Sequence, residues 1–156
     1  MKLVNPPVGL MFFEGAPRLL AAGMCLLPCA PSQDSRIALE AYPAYLARKI
    51  TRASYKKDGP EGARPDRHAA RVEIIEAITP GHASVAPLQV VLPTTLKNLC
   101  AEDGSGDCLD AVLCAVQAAI ACVHTTTKRG AGRDKYSIPA DADPLEGWIV
   151  SVSAFR

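Results

Sequence analysis

Two aspartates open the most apolar stretch of this chain, "GSGDCLDAVLCAVQAAIACV" at residues 104–123, and Asp107 and Asp110 stand one helical turn apart. Side chains three residues apart on a helix are neighbours, and two neighbouring carboxylates repel unless a proton or cation lies between them. Magnesium prefers carboxylate oxygens while keeping part of its water shell, and a pair of such ions can activate water for phosphodiester cleavage. A first-turn acid is also favoured by the helix dipole, by about 0.3–1 kcal/mol, and Ser105 or Asp107 could cap the helix. Spacing alone leaves both readings open.

The basic residues are segregated from these acids. Residues 48–71 hold eight Lys or Arg, among them Arg48, Lys49 and Lys56, against Asp58, Glu61 and Asp66; this local balance of +5 leaves −4 for the rest of a chain of net charge +1. Residues 98–127 carry Glu102, Asp103, Asp107 and Asp110 and no lysine or arginine. Such a division suits a protein that holds a phosphate backbone beside a bound cation, and equally a solvated helix-loop-helix surface.

Other reactive side chains have plainer readings. His68 and His124 have no carboxylate at an evident spacing, and His82 follows Gly81 in a loop. The six cysteines lack the two-residue spacing of a zinc knuckle and read as buried, reduced thiols, with Cys114 and Cys122 inside the apolar helix. Trp148 and the tyrosines are scattered, so no platform for stacking bases is visible.

The elements that must position these residues follow from periodicity. Residues 16–22 predict a short helix that stops at Gly23, and "RIALEAY", 36–42, a buried strand with Glu40 near its carboxyl end. Pro43 begins a helix "PAYLARKI". Residues 66–78 predict an amphipathic surface helix with Ala70, Ile74, Ile75 and Ile78 inward and its charges outward. An extended 88–92, a helix over 93–101 and the long helix over 106–124 follow. After a long polar loop, "EGWIVSVS" predicts a half-buried strand. Helices between short apolar strands define an α/β class, and 156 residues suit one domain over 1–156. The strand at 36–42 is apolar on both faces yet has few neighbours, so either its partners come from another copy or another chain through an unpaired sheet edge, or part of the domain is missing. The opening segment lacks a secretory core and no apolar run spans a bilayer, which predicts a cytoplasmic chain without a membrane partner.

Four segments, "NPPVGLMFFEG", "ALEAYPAYL" followed by "SYK", "GDCLDAVLCAVQA" and "EGWIVSV", resemble in order the domain of unknown function family 429, proteins described as predicted nucleases of ribonuclease H-like fold. The resemblance implies a metal-dependent phosphodiesterase acting on nucleic acid. Asp107 and Asp110 would be catalytic ligands of Mg²⁺ or Mn²⁺, Glu40 an auxiliary carboxylate, and Arg48, Lys49 and Lys56 the substrate contacts. The family's first strand, of the type "G-x-D-x-S/A-G", is absent, so the expectation is a partial ribonuclease H-like domain, its helices packed on a small incomplete sheet. Its metal site would be incomplete and its catalysis weak or lacking. The alternative is a non-catalytic interaction domain in which the two aspartates cap a buried helix.

Overall fold

The computed structural model describes residues 6–79, 88–127 and 135–150. Among them it is a mixed α/β structure with five α-helices and one two-stranded parallel sheet. The described residues group into two compact units, one drawn from 1–40 and 140–149, the other from 41–139 and Val150.

In the first unit, helix α1 (Pro6–Ala21) starts well before the expected residue 16 and runs through Pro17. A proline removes one intrahelical hydrogen bond and so reads as a boundary, but here the helix continues across it. The expected stop holds. Gly23 takes φ +70°, a left-handed conformation that its missing Cβ permits. Its N–H reaches Leu20 O at 2.9 Å while Met24 N–H reaches Leu19 O at 3.3 Å, the paired bonds of a Schellman cap.

The chain then enters β1 (Cys25–Leu27), which the sequence reading missed, and β2 (Ile37–Leu39) pairs with it in parallel, Cys25 opposite Ile37 and Leu27 opposite Leu39. Antiparallel bridging of Leu26 to Ala30 takes up further β1 groups, and Glu40 bridges Ile149. The strand expected over 36–42 is therefore short, and its residues are half-buried, not sealed inside a covered sheet. Of the expected terminal strand, only the Ile149 bridge falls among the described residues; 151–153 lie outside them.

The second unit is helical. It comprises α2 (Pro43–Ile50), a 3-10 turn at Pro60–Ala63, α3 (Pro65–Ile78), α4 (Thr94–Glu102) and α5 (Asp107–Thr127). The expected helices at 43–50, 66–78, 93–101 and 106–124 all form, while 88–92, expected to be extended, joins no helix or sheet. Pro43 and Pro65 sit in first turns, where their missing N–H costs nothing. Helix α2 packs on α5, α3 on α4, and α4 on α5. Leu46, Ile74, Ile78, Cys100, Leu109, Leu113 and Ile120 are fully buried where these helices meet. Each large apolar side chain so buried contributes about 1.5–3 kcal/mol, which is why a short helix such as α2 holds its place.

Two expectations for this core need correction. Arg71 was placed with the solvent-facing charges of α3, yet it is 1% exposed. Cys122 is exposed on α5 although the apolar run around it predicts burial; Cys29 is exposed too, while Cys25 and Cys100 are buried as expected.

Candidate functional site

The turn between α4 and α5 presents the acidic residues. Its N-terminal cap is supplied by Asp103, which the sequence reading passed over in favour of Ser105 or Asp107. Asp103 Oδ2 accepts the Cys108 N–H at 2.8 Å, and Oδ1 accepts the Ser105 N–H at 3.1 Å and the Ser105 hydroxyl at 2.6 Å. The Cys108 N–H, with the Ser105 hydroxyl second, lowers the Asp103 carboxyl to about 2. Ser105 Oγ also lies 3.0 Å from Asp107 Oδ2, and its single proton serves one carboxylate at a time. Asp107 is exposed.

Asp110, by contrast, is held on both oxygens. Tyr55 Oη donates to its Oδ1 at 2.6 Å, and Lys56 Nζ forms an ion pair with its Oδ2. The Asp110 side chain is 17% exposed and that of Lys56 43%, so the lysine end of the pair stays open to solvent. Burial first, and the neighbouring Asp110 second, push the Tyr55 hydroxyl above its usual range, keeping it a proton donor. The same two causes, burial and then Asp110, raise the Cys114 thiol one turn further along α5, so it stays neutral.

Tyr55 and Lys56 reach Asp110 because their loop is fastened to the α4–α5 turn. Lys57 N–H donates to Gly104 O at 3.1 Å. Gly106 has φ +79°, and a Cβ there would come within 2.6 Å of Lys56 Cβ, so only glycine lets the lysine stem pass. Arg71 fixes the loop from beneath: its Nε donates to Ala101 O at 2.7 Å, and its Nη1 to Tyr55 O at 2.8 Å and Gly62 O at 3.1 Å. One buried guanidinium thereby ties the end of α4, the 3-10 turn and the Tyr55 backbone together.

The same loop lines a cleft of about 360 Å³ within the second unit, formed by Arg48, Arg52 and Lys56 together with Tyr42, Thr51 and Ser54. No carboxylate contributes to its lining. Two arginines and a lysine paired to Asp110, beside hydroxyl-bearing side chains, form a site that attracts an anion.

The sequence-predicted residues thus divide into groups. Arg48 and Lys56 share the cleft, and Lys56 joins it to Asp110; Lys49 is exposed and does not line it. Asp107 and Asp110 keep separate partners. Glu40 belongs to the other unit, exposed, with its Oε2 near Gly147: a Cβ on that glycine would lie 3.0 Å from it and 3.5 Å from Cys29 Sγ. His68, expected to lack an acidic partner, has Glu102 Oε1 3.2 Å from its Nε2, both side chains being exposed.

A divalent ion does not fit the acidic residues in this arrangement. Both Asp110 oxygens are engaged, one by an ammonium that occupies the position of a cation, and no group of three or more His, Cys, Asp or Glu is gathered among the described residues. Magnesium sites built on one or two carboxylates need those oxygens free. The residues that sequence reasoning missed, Arg71, Tyr55 and Asp103, act through contacts across the fold; only the adjacency of Tyr55 to Lys56 in "SYK" offered a local signal.

Among the described residues no helix is long and apolar enough to cross a membrane. No curated protein and no solved structure matches this chain. Residues 9–143 match the family described as "Protein of unknown function (DUF429)", a span covering most of the 156 residues, and the chain belongs to that family.

Proposed function

We propose that this protein binds the phosphodiester backbone of nucleic acid in the cleft beside α2, as the substrate-holding side of a nuclease-like domain. The observation that carries the reading is the convergence of Arg48, Arg52 and Lys56 on one cleft that no carboxylate lines. Arginine matches phosphate oxygens with two parallel donors, while lysine adds a point charge. Asp110 serves here as an anchor: it fixes Lys56 at the cleft wall and stops the ammonium from swinging into solvent.

Hydrolysis is the finer part of the proposal and follows the ribonuclease H-like resemblance of the sequence. In it Asp107 and Asp110 would hold Mg²⁺ or Mn²⁺, which they do not fit as arranged. It requires Lys56 to release Asp110, so substrate phosphate would have to draw the lysine away first. The second reading, a non-catalytic interaction domain, is favoured by one observation: Tyr55 and Lys56 already satisfy Asp110.

Anisotropy of a labelled oligonucleotide tests binding. Three phosphate contacts give a slope of log K against log salt of about −2 for a single strand. Arg48→Ala with Arg52→Ala should flatten that slope and weaken binding; unchanged affinity in the double variant overturns the cleft reading. Thermal melting with Mn²⁺ tests the finer part. A stabilisation lost in the Asp107→Asn, Asp110→Asn protein supports ligation, and a melting curve indifferent to metal leaves Asp110 as an anchor only.

A further inference from the structure

The cleft has an aromatic edge. Tyr42 is the N-cap residue of α2, with extended backbone (φ −129°, ψ 97°), and Tyr45 stands one turn later on the same face. Their rings meet edge to face, 5.6 Å between centroids and 81° between planes. The Tyr45 N–H donates to Tyr42 O at 2.9 Å, so the backbone fixes the spacing of the two rings. Yet Tyr42 is 42% and Tyr45 50% exposed. Tyr42 itself lines the cleft with Arg48, Arg52 and Lys56.

From this juxtaposition we infer that the cleft takes single-stranded nucleic acid, with a base stacked on Tyr42 and the adjoining phosphates on the three cations. The inference rests on the phosphate-binding reading and adds the substrate class to it. A duplex buries its base faces in its own stack and offers only backbone to such a cleft. A single strand offers both. Stacking on an aromatic ring is tolerant of base identity because every base has a π face. Edge-to-face support from Tyr45 holds the Tyr42 ring before binding, which reduces the ordering cost of the complex. Neither ring was recognisable as a platform in the sequence, where two tyrosines three apart are unremarkable; their common exposure beside the cations is what marks them.

The test uses four probes on the full chain: a labelled thymidine 15-mer, the same length with abasic sites throughout, the duplex of the first, and inorganic phosphate as a competitor. The single strand should bind about tenfold more tightly than the abasic strand, the loss expected for one stacked base. Tyr42→Ala should bring the 15-mer down to the abasic level, whereas Tyr42→Phe, which keeps the ring, should leave it unchanged and so exclude misfolding as the cause. Equal affinity for the base-bearing, abasic and duplex probes, all weakened by Arg48→Ala with Arg52→Ala, would overturn the stacking inference while the cleft reading stands. Failure of every probe to bind would overturn the cleft reading itself.

Discussion

Replacing Arg71 with methionine tests whether the site is held from beneath. Methionine keeps the unbranched stem and most of the volume while removing the charge and every donor. Three buried carbonyls, Ala101, Tyr55 and Gly62, then lose their partner together. An unsatisfied buried polar group costs about 1–3 kcal/mol, so the lower bound is about 3 kcal/mol. Water entering beneath the loop relieves part of the upper range, which sets the expected loss at about 3–5 kcal/mol. That is a large share of the about 5–15 kcal/mol by which domains are stable. In urea denaturation followed by circular dichroism, a slope of about 2 kcal/mol/M converts this to a midpoint lowered by about 2 M. Arg71→Lys should fall between the two, since an ammonium lacks the planar fork that spans three carbonyls. A midpoint within about 0.5 M of the parent, at unchanged slope, would refute the clamp, because it would mean the carbonyls find other partners at no cost.

Two further outcomes follow from the same turn. Gly106→Ala forces a Cβ into the Lys56 stem at a φ of +79°, so it should lower stability by about 1–2 kcal/mol and weaken oligonucleotide binding by freeing Lys56 from Asp110; a variant that melts and binds like the parent would show that the stem can move aside. Asp103, with its carboxyl lowered from 3.8 to about 2, stabilises the folded state above the unfolded value, and that contribution fades as pH falls through the folded one. The stability gap between the parent and Asp103→Asn, measured by melting at a series of pH values, should therefore be full above about pH 5 and close toward pH 2; a gap constant across that window would exclude the carboxylate as the cap.

Much of the helical unit was legible from local pattern. The apolar positions of residues 66–78 and 106–124 repeat with helical period, and Pro43 marks a start, so α2, α3 and α5 are near where periodicity places them. The sheet was less legible. A strand of three residues such as Cys25–Leu27 is too short to show alternation, and only its pairing with Ile37–Leu39 makes it a strand. Arg71 was misplaced for a related reason: periodicity assigns a charged residue to solvent, and a buried guanidinium is stable only because three carbonyls from distant segments converge on it.

The question of the two opening aspartates divides in the same way. Sequence by itself determined that Asp107 and Asp110 begin a buried helix and that the cations of 48–71 are segregated from them, because both facts depend on residue type and spacing along one chain. Which carboxylate caps, which anchors a lysine and which faces solvent was decided by tertiary structure. Tyr55 and Lys56 are more than fifty residues from Asp110 in sequence, and no local rule registers a hydrogen bond whose partners meet only when the loop and the helix are packed together.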